Sequence, residues 1–184
     1  MINESLFEGE LIRLAPPDPD KDPEIESHWT HDPDYLRSLG PKVARPLAPV
    51  HVKKQYEELE KEKGVFHFAV RAKADDRLIG FVRLDNIEWN NGVGNLSLGI
   101  GDPNDRGHGY GGEVLRMVLR YAFAELNLFR LGAVAPGYNT RAIAFLERAG
   151  FVVEVRRREA IERDGKRWDV VGLGLLKDDW ERRK

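Results

Sequence analysis

The residues best suited to chemistry lie between Leu96 and Gly112. Leu96, Leu98 and Ile100 alternate as on one face of a strand, and Asp102-Pro103-Asn104-Asp105 turns the chain. Gly107, Gly109, Gly111 and Gly112 then lead into a long apolar helix. Strand, glycine-rich turn and helix together present several backbone N–H groups to one anion. The first helical turn has donors without intrahelical partners and the positive end of the dipole, and glycine lets a phosphate approach the backbone closely. Arg106, at the mouth of the turn, adds a full positive charge. The pattern predicts a phosphate cradle made of Arg106, Gly107, His108, Gly109, Tyr110, Gly111 and Gly112.

Gly107, Gly109 and Gly112 also satisfy G-x-G-x-x-G. That dinucleotide fingerprint needs an acidic residue closing the next strand, about 20 residues on. The next strand, Arg130 to Ala135, runs instead into Pro136-Gly137-Tyr138-Asn139 with no carboxylate. A binder of NAD-type nucleotides is therefore a lower reading. G-x-S-x-G, Walker and H-E-x-x-H patterns do not occur. His28 and His31 beside Asp32 lack a fourth ligand and predict no metal site.

Composition narrows the class. The 184 residues suit one domain spanning 1–184, and a net charge of −2 gives no general field toward nucleic acid or an anionic membrane. The absence of cysteine excludes disulfides, thiol nucleophiles and thiolate metal sites. Met1-Ile2-Asn3-Glu4-Ser5 shows neither the basic nor the apolar region of a signal peptide, and no apolar run approaches membrane-spanning length. A cytoplasmic protein is the expectation.

These residues need elements to hold them. A first strand is predicted over Glu10–Leu14, short helices over 24–31 and 33–39, and a surface helix from Val50 to Lys63. Three strands follow: Val65–Lys73, Leu78–Trp89 and, after an Asn91-Gly92 hairpin signal, the strand that feeds the cradle. The cradle helix is predicted from about Gly109 to Asn127, mostly buried, with Glu113, Arg116 and Arg120 as its narrow polar strip. After the strand at 130–135, Asn139-Thr140 caps a helix that Gly150-Phe151 ends, and a hairpin turned by Asp164-Gly165 closes the chain. The class is α+β: a mostly antiparallel meander with one strand–helix–strand crossover in its middle.

The spelling R-x-x-G-x-G, Arg106 to Gly111, resembles the pyrophosphate-binding signature of the GNAT acyltransferase superfamily. The order meander, signature, helix, strand, Asn-capped helix, Gly-Phe, hairpin is similar to the GNAT fold over nearly the whole chain, a mixed, mostly antiparallel sheet of about seven strands flanked by helices. Local stretches look like the branch of RimJ/RimL-type ribosomal-protein N-terminal and spermidine acetyltransferases. They include Leu78-Ile79-Gly80-Phe81, Leu84-Asp85-Asn86-Ile87-Glu88-Trp89, Asn139-Thr140-Arg141-Ala142-Ile143, Glu147-Arg148-Ala149-Gly150-Phe151 and Asp164-Gly165-Lys166-Arg167-Trp168-Asp169, with Trp29 and Asp32-Pro33 near the start.

The resemblance implies acetyl-CoA as donor and no metal. Backbone groups of Leu98, Gly99 and Ile100 would pair with the pantetheine arm like an extra strand, the Gly107–Gly112 amides would hold the pyrophosphate, and Asn139 would meet the arm near the thioester. Transfer requires a neutral amine, a donor for the oxyanion and a proton or positive field for the thiolate. A splayed strand after Ile100 is expected to offer the oxyanion donor. Where relatives often carry a general-acid tyrosine and a glutamate, this chain has Leu146 and Asn95. Glu88 is then the candidate base, Asn139 the second candidate catalytic residue and Tyr138 a distant acid candidate. The implied activity is acetyl transfer to a primary amine, a protein N-terminus or a small amine. A catalytically weak acyl-CoA-binding or regulatory domain is the alternative. Oligomeric state stays open, with homodimer pairing through the last hairpin or an edge strand as one option.

Overall fold

The computed structural model describes residues 5–183. The reading of Met1 to Glu4 as free of a leader therefore lies outside the described residues. Seven strands form one sheet in the order β1-β2-β3-β4-β5-β7-β6. β1 (Ile12–Ala15), β2 (Phe66–Ala72), β3 (Leu78–Glu88) and β4 (Val93–Ile100) make an antiparallel meander. Helices α1 (Asp22–Trp29), α2 (Pro33–Leu39) and α3 (Pro49–Lys61) fall between β1 and β2. α4 (Tyr110–Arg120) crosses over from β4 to its parallel neighbour β5 (Arg130–Pro136). After α5 (Thr140–Arg148), β6 (Val152–Arg163) and β7 (Lys166–Leu176) complete the sheet, and α6 (Lys177–Glu181) ends the fold. This is the predicted α+β sheet. Among the described residues no helix is long and apolar enough to cross a membrane.

Strand alternation sorts the sheet's two faces. Val70, Val82, Leu84 and Leu131 pack with Val114, Val118 and Phe123 of the crossover in the main core. Ala69 and Leu78 turn the other way, to meet Trp29 and Tyr35 of α1 and α2. The site described below lies on this second face.

Three local expectations are refined. The cradle helix is α-helical only to Arg120; Tyr121–Glu125 forms a wider π turn, in which Leu126 N–H reaches the Tyr121 carbonyl at 3.0 Å. That turn keeps Tyr121 within 5.4 to 5.7 Å of the rings of Phe68, Phe66 and Phe7. Asn91-Gly92 lies in the expected hairpin between β3 and β4, in a longer loop than a two-residue type I′ turn, which needs positive φ at both positions. Only Gly92 adopts it, at 65°, and both N–H groups bond the Glu88 carbonyl in a four-residue loop. Asp164-Gly165, at 52° and 72°, is the two-residue turn.

The third correction concerns Glu113, which is not part of a solvated strip. Its carboxylate is buried and accepts the N–H groups of Glu10, Leu11 and Ile12 at 2.7, 2.8 and 2.9 Å, with Arg116 at 3.2 Å. This is why the first strand starts at Ile12 rather than Glu10: the preceding amides are aimed at a side chain. Glu113→Gln replaces one acceptor oxygen by a donor facing those amides. The expected loss is about 1–3 kcal/mol of unfolding free energy, measured as a lower urea midpoint at unchanged slope.

Candidate functional site

β4 and β5 pair over three residues only: Val93 with Arg130, Gly94 with Leu131 and Asn95 with Gly132. Beyond them the strands part. β4 continues to Ile100 on β3, and β5 continues to Pro136 on β7. The splay thus begins after Asn95, not after Ile100 as the sequence suggests. The β4 edge that faces β5 from Leu96 to Ile100 has no strand partner. α2 and α5 wall the gap, and a cavity of about 540 Å³ opens there. Ser97, Leu98, Val134, Leu39 and Phe145 line it.

The glycine turn stands at the far end of β4. Gly107 and Gly109 have φ of +89° and +88°, a region that side chains with a Cβ disfavour. Gly109 is the N-cap of α4 and supplies no side-chain cap. The first helical bond is Glu113 N–H to the Gly109 carbonyl, at 3.1 Å, so the amides of Tyr110, Gly111 and Gly112 precede the helical ladder. A Cβ built at Gly107 or Gly112 would meet nothing within 4 Å. Helix-first-turn amides on a turn left uncrowded at Gly107 and Gly112 fit a diphosphate, and the unpaired β4 edge fits an extended amide-bearing arm.

Side chains hold the turn in place. Arg77 donates to both oxygens of buried Asp105, at 2.7 and 2.5 Å, which holds that carboxyl below its usual range. His108 Nε2 lies 3.0 Å from the Asn104 carbonyl. Arg106 is not a free cation at the mouth of the turn. It donates to the Ile100 and Gly101 carbonyls at 3.2 and 2.7 Å and lies 3.8 Å from Asp32, so it clasps the end of β4. Gly101 lets Trp29 pack there: a Cβ would fall 2.0 Å from the indole.

Asn139 caps α5 by accepting the Ala142 N–H at 3.1 Å, and its amide donates to the Ser38 carbonyl at 3.1 Å. The Tyr138 hydroxyl, the distant acid candidate, donates to the Arg37 carbonyl at 2.8 Å. Both side chains therefore staple the end of α2 to the β5–α5 junction. Glu88, the candidate base, lies away from the cavity. It pairs with Val93 at the opposite end of β4, is exposed, and accepts the Asn91 side-chain amide at 2.7 Å. It does not line the cavity.

The cavity instead holds polar residues that no sequence motif marks. His67, Arg83 and Ser97 stand opposite one another across β2, β3 and β4. Beside them Glu26 accepts the Tyr56 hydroxyl at 2.5 Å. Burial pushes the Glu26 carboxyl up, against the lowering effect of the Tyr56 bond. Burial, then Arg83, pushes the His67 imidazole down to about 4. Local spacing could not reveal this group, because it forms only once the strand register is set.

The His67 shift carries a sign. The neutral ring is favoured in the folded state, so the unfolded chain binds more protons between pH 6.5 and about 4. The contribution is complete above 6.5 and falls as pH drops through that window. Urea titrations across the window are expected to show a shallower decline for His67→Gln than for the parent chain.

An acetyltransferase (GNAT) domain family matches residues 12–152. The chain is 24% identical over 172 residues to the SPbeta prophage-derived uncharacterized N-acetyltransferase YokL of Bacillus subtilis, covering 84% of this chain and 96% of that one. It is 35% identical over 126 residues to the probable N-acetyltransferase YjcK of the same organism, covering 68% of each. The fold is similar to that of spermidine N-acetyltransferase from Vibrio cholerae, solved with CoA and spermine, at a TM-score of 0.83, 19% identity and coverage of 94% and 99%. The chain belongs to the GNAT family and is an acetyl-CoA-dependent acetyltransferase.

Proposed function

We propose that residues 1–184 form one domain that transfers acetyl from acetyl-CoA directly to a primary amine, in the RimJ/RimL-type branch of the family. The observation that carries this reading is the junction of two features: a strand edge left open after Asn95, and a glycine turn that leads into the first-turn amides of α4 and is uncrowded at Gly107 and Gly112. Leu98, Gly99 and Ile100 would hold the pantetheine arm, and the Gly107–Gly112 amides the diphosphate. Arg106 and Asn139 position those elements.

The acceptor enters the cavity. Glu26 is the carboxylate on its wall, and Arg83, Lys42 and Arg45 are cations there. Arg83 is paired with Asp85 at 2.7 Å, so a polycation would meet one carboxylate against two further cations, Lys42 and Arg45. A single amine, such as a protein N-terminus, needs only Glu26, which takes up its proton or holds the ammonium. Glu26 thus replaces Glu88 as the base.

CoA is expected to raise the thermal midpoint while NAD leaves it unchanged. Gly109→Val, which forces a β-branched residue into positive φ, is expected to abolish the CoA-induced rise. In a thiol-release assay, a peptide with a free N-terminus is expected to exceed spermine at least about tenfold in kcat/KM, which is about 1.4 kcal/mol of discrimination. Glu26→Gln is expected to lower that value at neutral pH. Turnover favouring spermine would reverse the acceptor assignment; stabilisation by NAD alone would remove the donor assignment.

A further inference from the structure

The loop between α2 and α3 carries two cations that the fold leaves unpaired. Lys42 and Arg45 are exposed, and among the described residues neither side chain has a hydrogen-bond or ion-pair partner. Both line the acceptor cavity, as does Val43 between them, which is 82% exposed. Neighbouring cations are engaged. Arg83 is held by Asp85 at 2.7 Å, Arg37 lies 3.4 Å from Asp164, and Arg163 donates to main-chain carbonyls.

This loop is pinned at both ends. The Arg163 guanidinium, beside the β6–β7 turn, donates to the Pro41 and Lys42 carbonyls at 2.8 and 2.9 Å. At the other end Leu47 N–H donates to the hydroxyl of buried Thr30 at 2.8 Å. Pro41 and Pro46 each fix a backbone angle and narrow the loop's freedom further. Lys42, Val43 and Arg45 are thus held on the cavity wall rather than left to swing in solvent. The donor's diphosphate is read onto the glycine turn, and none of Gly107 to Gly112 lines the cavity. An anion for these two cations therefore comes with the acceptor.

We propose that Lys42 and Arg45 select an acceptor with a carboxylate close behind its amine: a protein N-terminus with Asp or Glu among its first residues. This rests on the acetyl-transfer reading and on Glu26 receiving the amine. Glu26 and both cations line one cavity of about 540 Å³. An extended peptide of three residues spans about 10 Å, the breadth of such a space. With the amine at Glu26, the acidic side chain reaches Lys42 and Arg45, and the intervening chain passes Val43. Arg45 can take both carboxylate oxygens, and Lys42 adds a point charge. The same pair repels a polyamine, so attraction and repulsion act together in the selection.

Thiol release with peptides that differ only at the second residue, Glu, Ala or Lys, tests this on the full chain. At low ionic strength kcat/KM is expected to be about tenfold higher with Glu than with Lys, with Ala between them, since each exposed contact counts for a factor of a few. Added salt is expected to shrink that ratio. Lys42→Glu combined with Arg45→Glu is expected to reverse the order, at an unchanged thermal midpoint and an unchanged KM for acetyl-CoA. Such a reversal is a gain that misfolding cannot mimic. Equal rates with all the peptides overturn the proposal, and so does an order that the double variant leaves in place. A KM for acetyl-CoA raised by the double variant overturns it too, by assigning the cations to the donor. If the parent chain releases no thiol with any amine and is not stabilised by CoA, the acetyl-transfer reading itself fails and takes this selection with it, which is a separate outcome.

Discussion

The sheet's two halves are joined by a parallel pairing that stops after Asn95 and Gly132, and the functional architecture follows from that stop. Backbone N–H and C=O groups require partners, and an unpaired strand edge is a template for another chain. Here the edge is turned inward, between α2 and α5, where only a slender extended group can reach it. On the proposed reading, recognition of the donor would be chiefly a matter of main-chain groups.

An opening of this kind has to be braced, because parted strands gain nothing from each other. On the β4 side the braces are Arg106 on the Ile100 and Gly101 carbonyls, Trp29 on Gly101, and Arg77 on Asp105. Exposed ion pairs contribute little. The Asp105 carboxylate is buried and held by two bonds, so it belongs to the stronger class. On the β5 side Tyr138 and Asn139 reach the Arg37 and Ser38 carbonyls. α2 thereby touches both lips of the gap.

Local signals are legible where chemistry and spacing coincide. The glycine turn, the crossover, the Asn139 cap and the Asp164-Gly165 turn each depend on a few neighbouring residues, and each can be read from the sequence. What cannot be read depends on register. Glu88 resembles a base because it closes a strand near the cradle strand, yet antiparallel pairing carries it to the start of β4. Glu113 resembles a solvated residue because it interrupts an apolar helix, and only the tertiary fold brings three amides to it. His67, Arg83 and Ser97 are far apart in the chain and meet only across the strands.

The acceptor's protonation state sets the remaining demand. An amine must lose its proton before it attacks, and an ordinary α-amine, with a pKa near 8, loses it far more readily than a lysine-type amine near 10.4. That difference is worth about 3 kcal/mol at neutral pH. An enclosed cavity lowers amine affinity for protons further, by withholding water from the charged form. In the proposed reaction Glu26, itself made more basic by burial, would receive the proton more readily than an exposed carboxylate. An N-terminal amine therefore needs only the one carboxylate this cavity wall provides. A polyamine would bring further charges for which the wall offers Lys42 and Arg45 instead of partners.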